Sequence, residues 1–178
     1  RARRGGPLCL FRWTPRAARP MRLALKGKEV AAYAFGPRGE TYYVAAPTPE
    51  SAPAATVHYP REAPEGELRR LGGGRIGAIA ANAAGLRVSA DGRRLAWLGR
   101  PSPHEEGLFA TEVRVTDLRT GKATPVGTPR WGVSACAFSP THPDRLAVVA
   151  RRIPGVYPSI ADLFLLEGGR CRNLSRRH

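Results

Sequence analysis

The stretch SADGRRLAWLGR, Ser89 to Arg100, places a polar turn centred on Asp-Gly directly before a short, mostly apolar run. Asp-Gly supplies the backbone angles that a tight hairpin requires. The same order recurs elsewhere. YAFGPRGETYYVAA (Tyr33 to Ala46), LRVSADGRRLAWLG (Leu86 to Gly99) and CAFSPTHPDRLAVVA (Cys136 to Ala150) each join two apolar stretches through Pro, Asp or Gly. Aligned on Phe35, Val88 and Phe138, the copies fall 53 and 50 residues apart. The opening stretch is therefore one copy of three.

Each hairpin has the same sequel. A proline-rich connection follows it, PTPESAP, PSPHEEG or PGVYPS, and then a third strand, weak as ATVHYP and clear as TEVRVTDL and ADLFLLEG. A glycine turn leads into a more polar fourth strand: GELRRLGGG, GKATPVGTP and GRCRNLSRR. In TEVRVTDL, Val113 and Val115 alternate with Arg114 and Thr116, the period-two mark of a half-buried strand. PLCLFRW and PMRLALKG fit as strands three and four of an earlier, truncated copy.

Four antiparallel strands per repeat of about 40–50 residues is the signature of a β-propeller blade. One blade cannot bury both of its faces, so stacking of neighbours makes the core. The expected fold is all-β, an incomplete propeller: residues 1–26 end a truncated blade, and 27–74, 75–129 and 130–178 form three more. A two-sheet sandwich of short strands is the competing architecture. RLAWLG and RLAVVA are expected as second strands, with Trp97 buried between blades. Phe138, Val148, Val149, Phe164 and Leu166 must pack against something, and uncovered end blades are expected to self-associate.

Composition bounds the function. The 178 residues are 42% hydrophobic and 24% charged, which are globular values. The net charge of +15 points to nucleic acid or an acidic partner. The cations, however, are scattered arginines, with only Lys26, Lys28 and Lys122 as lysines, and no aromatic-interleaved basic stripe accompanies them. Nucleic acid is not the expected partner, and no apolar run is long enough to span a bilayer as a helix. The start, RARRGG, lacks methionine and an apolar leader segment, so a cut or processed end and a cytoplasmic location are expected. Cys9, Cys136 and Cys171 form neither a disulfide framework nor a zinc site, and the histidines His58, His104, His142 and His178 show no metal-ligand spacing. No cofactor and no metal are expected.

Two motifs are decoys. Gly72, Gly74 and Gly77 in GGGRIG satisfy G-x-G-x-x-G, yet ELRRL before them is too charged for the central strand of a dinucleotide fold. The glycines read instead as the connection from one blade to the next. GVSAC, Gly132 to Cys136, begins like a nucleophile elbow and fails at its last glycine, which leaves Ser134 as a plain strand residue. Asn173-Leu174-Ser175 matches a glycosylation sequon by chance. No catalytic residue can be named.

The pieces VSADGRRLAWLG, TEVRVTDLRTGKATPVG and DLFLLEGGRCRNLS resemble the blades of TolB-type propellers. They are similar in particular to the N-terminal propeller of prolyl oligopeptidase family serine peptidases, the acylaminoacyl-peptidase and dipeptidyl-peptidase branches included. No Trp-Asp dipeptide closes a third strand, which separates them from WD-repeats. The resemblance implies a non-catalytic propeller that gates peptide access to an α/β-hydrolase domain outside these residues. The alternative is a protein-binding module with no chemistry attached. In the dipeptidyl-peptidase branch a glutamate pair grips the substrate amino terminus; Glu105 and Glu106 are adjacent acids here, without the aromatic residues that the branch places before its pair.

Alternating strands send the strand two-to-three loops and the blade links to one face. The tight turns PRG, ADG, RTG and EGG go to the other. The first face carries the long proline-rich loops with His104, Glu105, Glu106 and Tyr157, and these four are the candidate residues for a peptide substrate or protein partner.

Overall fold

A computed structural model describes residues 10–12, 21–23, 28–47, 64–100, 110–126, 132–151 and 160–175. Every element in it is a strand. Strands β1 (Leu10–Arg12) and β2 (Met21–Leu23) pair antiparallel. Three four-stranded antiparallel sheets follow in chain order. The first holds β3 (Lys28–Phe35), β4 (Thr41–Pro47), β5 (Glu65–Arg70) and β6 (Arg75–Ala80). The second holds β7 (Ala84–Val88), β8 (Arg94–Gly99), β9 (Glu112–Asp117) and β10 (Ala123–Pro125). The third holds β11 (Val133–Phe138), β12 (Leu146–Arg151), β13 (Ala161–Glu167) and β14 (Arg170–Asn173).

The strands within each sheet follow one another in sequence, as in a blade. The first strands of neighbouring sheets, β3, β7 and β11, lie against one another in turn. The chain is an incomplete β-propeller, as the repeat predicts.

The alignment of the three copies holds in the register. Phe35 pairs with Thr41, Val88 with Leu95 and Phe138 with Leu146, each the last pair before its turn. The turn of the opening stretch is built by its own side chains. The Ser89 hydroxyl donates to Asp91 Oδ1 at 2.6 Å and accepts the Arg94 amide at 3.0 Å, while Asp91 Oδ1 also accepts the Arg93 amide. Gly92 takes φ +71°, a left-handed angle that a Cβ would strain. These local bonds shape the turn, and its Asp91 and Arg93 carbonyls accept further bonds from Arg38 and from the Leu118 amide.

Alternation along the second strands makes the core. Tyr42 and Val44 of β4 face the second sheet, and Leu95 and Trp97 of β8 face back to meet them. Ala96 and Leu98, the other face of β8, meet Leu146, Val148 and Ala150 of β12. Trp97 is 2% exposed, as expected. A fully buried Leu or Val contributes about 1.5–3 kcal/mol, and both seams are lined with them. Of the five third-copy residues that needed cover, Val148, Phe164 and Leu166 are buried against the second sheet and Phe138 is half-buried there. Val149 lies on the opposite face.

The strand reading of the first repeat is corrected. EGELRR is the third strand, not part of the fourth, and GGGRIG, taken as a link between blades, leads into the fourth, RIGAIA. ATVHYP lies outside the described residues. The glycines of GGGRIG therefore serve a turn within one sheet: Gly72 adopts φ +73° between β5 and β6. Gly77 has a different reason. A Cβ there would overlap the carbonyl oxygen of Gly121, and one on Gly121 would overlap that of Ile76. The backbones of two neighbouring sheets touch where only glycine fits.

Candidate functional site

His104, Glu105, Glu106 and Tyr157 lie outside the described residues. The strand ends that carry the loop of the first three, Gly99 and Glu112, are described and border a pocket of about 550 Å³ in the seam between the first and second sheets; the strand ends that carry the Tyr157 loop do not line it. Pro64 and Glu65 lie where the β4–β5 loop returns, and Gly99 and Arg100 where the β8–β9 loop departs. The pocket thus opens at the face to which the sequence assigned function.

Its wall follows from the alternation of β9. Val113 faces the third sheet, so Glu112, Arg114 and Thr116 point toward the first. Arg114 is the register partner of Trp97, and its guanidinium stands 5.8 Å from the centre of the Trp97 ring. Arg114 Nε also donates to Glu112 Oε1 at 2.6 Å. On the other side the Trp97 indole Nε1–H donates to the buried Thr116 hydroxyl at 3.0 Å. The ring is held by a hydrogen bond and a cation over its face, the latter worth about 0.5–1 kcal/mol at an exposed site. Ile79 and Ala80 supply the opposite apolar wall. Arg100 stands at the rim with no ion pair recorded for it among the described residues, and its carbonyl accepts a hydrogen bond from Asn82 Nδ2.

An apolar floor with arginine and carboxylate at the rim suits an extended peptide: a side chain can enter while backbone or charged groups stay at the edge. The alternating pattern of β9 marked Arg114 as facing away from Val113 and Val115, but only the neighbouring sheet puts it over Trp97. Arg100 carried no signal beyond its place before a proline-rich loop.

A second cavity of about 480 Å³ lies between the second and third sheets, beside the tight turns. Val115, Val126, Phe138, Leu146 and Leu166 line it, with Arg94 paired to Asp144 and Glu167 paired to Arg145 nearby. Sequence reasoning passed over this face because its turns are short.

Nothing described assembles a nucleophile and base at either pocket. Ser134 sits within β11, its hydroxyl 3.4 Å from the Val149 carbonyl oxygen that accepts from it. Burial pushes the Cys136 thiol up to about 11, which keeps it protonated and unreactive. His142, the one described histidine, bonds Thr141 in the β11–β12 turn, on the tight-turn face. Among the described residues no three His, Cys, Asp or Glu side chains could hold a metal ion.

No protein-family model matches the chain, and no curated protein matches it. Solved structures do. TolB from Acinetobacter baumannii superposes with a TM-score of 0.52 at 13% identity, over 88% of this chain and 35% of TolB. A putative TolB from Agrobacterium tumefaciens gives 0.50 at 10% identity, over 86% of this chain and 51% of the other. The fold is that of a TolB-type β-propeller. The acylaminoacyl peptidase of Pyrococcus horikoshii is also matched, over 78% of this chain and 24% of the enzyme, at 18% identity and a TM-score of 0.46. The chain spans about a third to a half of the TolB chains it matches.

Proposed function

We propose that this chain is a non-catalytic propeller module that holds a peptide segment at its loop face, in the seam beside Trp97. The observation that carries the reading is the pocket itself. It sits between two blades, where the long loops depart, with a fixed aromatic floor, an Arg114–Glu112 pair on its wall and Arg100 at its rim. The blade motifs support a narrower reading, in which the module limits peptide access to a serine-peptidase domain outside these residues. Capture of a protein partner without chemistry uses the same surface.

Fluorescence anisotropy with short labelled peptides bearing a free carboxylate tests the reading. Arg100→Ala should weaken binding about tenfold or more, since a hydrogen bond to a charged group is worth roughly 1.5–3 kcal/mol. Ala80→Phe, which fills the pocket wall, should abolish it. Peptide affinity unchanged by both substitutions would overturn the assignment of this pocket.

A further inference from the structure

The two seams end differently beside the tight turns, and we propose that the cavity in the second seam binds an unbranched acyl chain whose terminal carboxylate meets Lys122. The first seam is closed there by backbone. Gly121, in the β9–β10 turn of the second sheet, rests against the Ile76 carbonyl and Gly77 of β6. A pocket of only about 170 Å³ remains beside that contact. The corresponding turn of the third sheet, Gly168 and Gly169, makes no such approach: a Cβ on either glycine would meet nothing. The second and third sheets therefore part at this end and enclose about 480 Å³. Small-ligand sites run from about 300 to 1,000 Å³. Both walls are consecutive sheets, so the cavity lies within a seam and not on a terminal face.

Strand alternation decides what lines it. Ala123 of β10 packs on the first seam, so Lys122, Thr124 and Val126 turn to the third sheet, as Val115 does on β9. Leu146 and Leu166 are buried in the opposite wall, with Phe138 half-buried beside them. The charged groups at the mouth are matched, with one exception. Arg94 pairs with Asp144, and Glu167 with Arg145. Asp117 accepts the amides of Arg119 and Thr120 and the Thr120 hydroxyl. The Lys122 amide donates to Thr120 Oγ1, while its ammonium forms no ion pair among the described residues. One unmatched cation beside an apolar interior suits one anion carrying an apolar tail. The wall strands spend their amides and carbonyls on their own sheets. A peptide backbone would lose water there and gain few partners, whereas an acyl chain has nothing polar to satisfy beyond its carboxylate.

Calorimetric titration with dodecanoate, kept below its micelle concentration, tests this beside dodecanol, which has the same tail without the charge. Dodecanoate should bind, and dodecanol should bind about three- to tenfold more weakly, the range for an exposed charged contact. Lys122→Gln should remove that difference by weakening dodecanoate alone. Thr124→Trp, a change at an exposed position that fills the cavity, should abolish binding of both with an unchanged circular dichroism spectrum. A short peptide ending in leucine should not displace dodecanoate. No binding by the wild-type chain, equal affinity for the two ligands, or dodecanoate affinity untouched by Lys122→Gln overturns the proposal. So does binding that survives Thr124→Trp in a protein with the native spectrum. Displacement by the peptide overturns it as well and assigns the cavity to a chain terminus instead.

Discussion

Removing the Thr116 hydroxyl should destabilise the chain far more than the loss of one exposed polar group would. Thr116 is fully buried, and its oxygen accepts the Trp97 indole N–H at 3.0 Å from the neighbouring strand. Thr116→Val keeps the shape of the side chain and leaves that N–H buried without an acceptor, at a cost of about 1–3 kcal/mol. Trp97→Phe leaves the hydroxyl unpaired instead and adds a small cavity between the first two sheets. The double variant removes donor and acceptor together, so only the cavity remains. Its loss should fall short of the sum of the two single losses by an interaction of roughly 0.5–3 kcal/mol, as for contacting residues generally. For a chain of this size each kcal/mol lowers the melting temperature by about 2–4 °C, so Thr116→Val alone should be visible by circular dichroism melting. Urea titration of all four proteins closes the cycle. Losses that simply add would show that the bond contributes nothing and that Trp97 acts by packing alone.

Three further outcomes follow from particular atoms. Gly121→Ala should cost about 1–3 kcal/mol for overpacking, and about 1–2 kcal/mol more because φ is +73° there; urea titration measures both together, and Gly168→Ala, open to solvent at φ +56°, should show the angular part alone. Cys136 holds its proton more tightly when folded, its value rising from 9.0 to about 11 through burial. Stability it contributes is therefore present below pH 9 and lost as pH rises through about 11, and wild type should weaken over that window more steeply than Cys136→Ala in pH-dependent denaturation. Peptide and ester hydrolysis by the chain should stay at background, unaltered in Ser134→Ala; turnover abolished by that substitution would make the near-miss motif a true nucleophile.

Much of the architecture is local and so was legible. Ser89, Asp91 and Gly92 build their turn from bonds within six residues, and the unbroken apolar run in RLAWLG buries Trp97 whichever face it takes. A hairpin with such a turn has little choice of register, which is why the three copies align in sequence and in space. The face bearing the long loops followed from strand direction alone.

The first repeat shows where this stops. RIGAIA has no turn chemistry that distinguishes a fourth strand from a link, and EGELRR carries charges that disguise a third strand whose Leu68 is fully buried. Gly77 and Gly121 stand 44 residues apart in sequence, and the reason for both is the approach of one sheet's backbone to the next. The pocket beside Trp97 is of the same kind, since Arg114 and Ile79 come from strands of two sheets and Arg100 from just past the end of a third strand. Sequence determined the repeating unit because hairpin formation is governed by neighbours along the chain. The seams between sheets, with their glycine contact and their pocket, were decided by packing of surfaces whose partners no local pattern names.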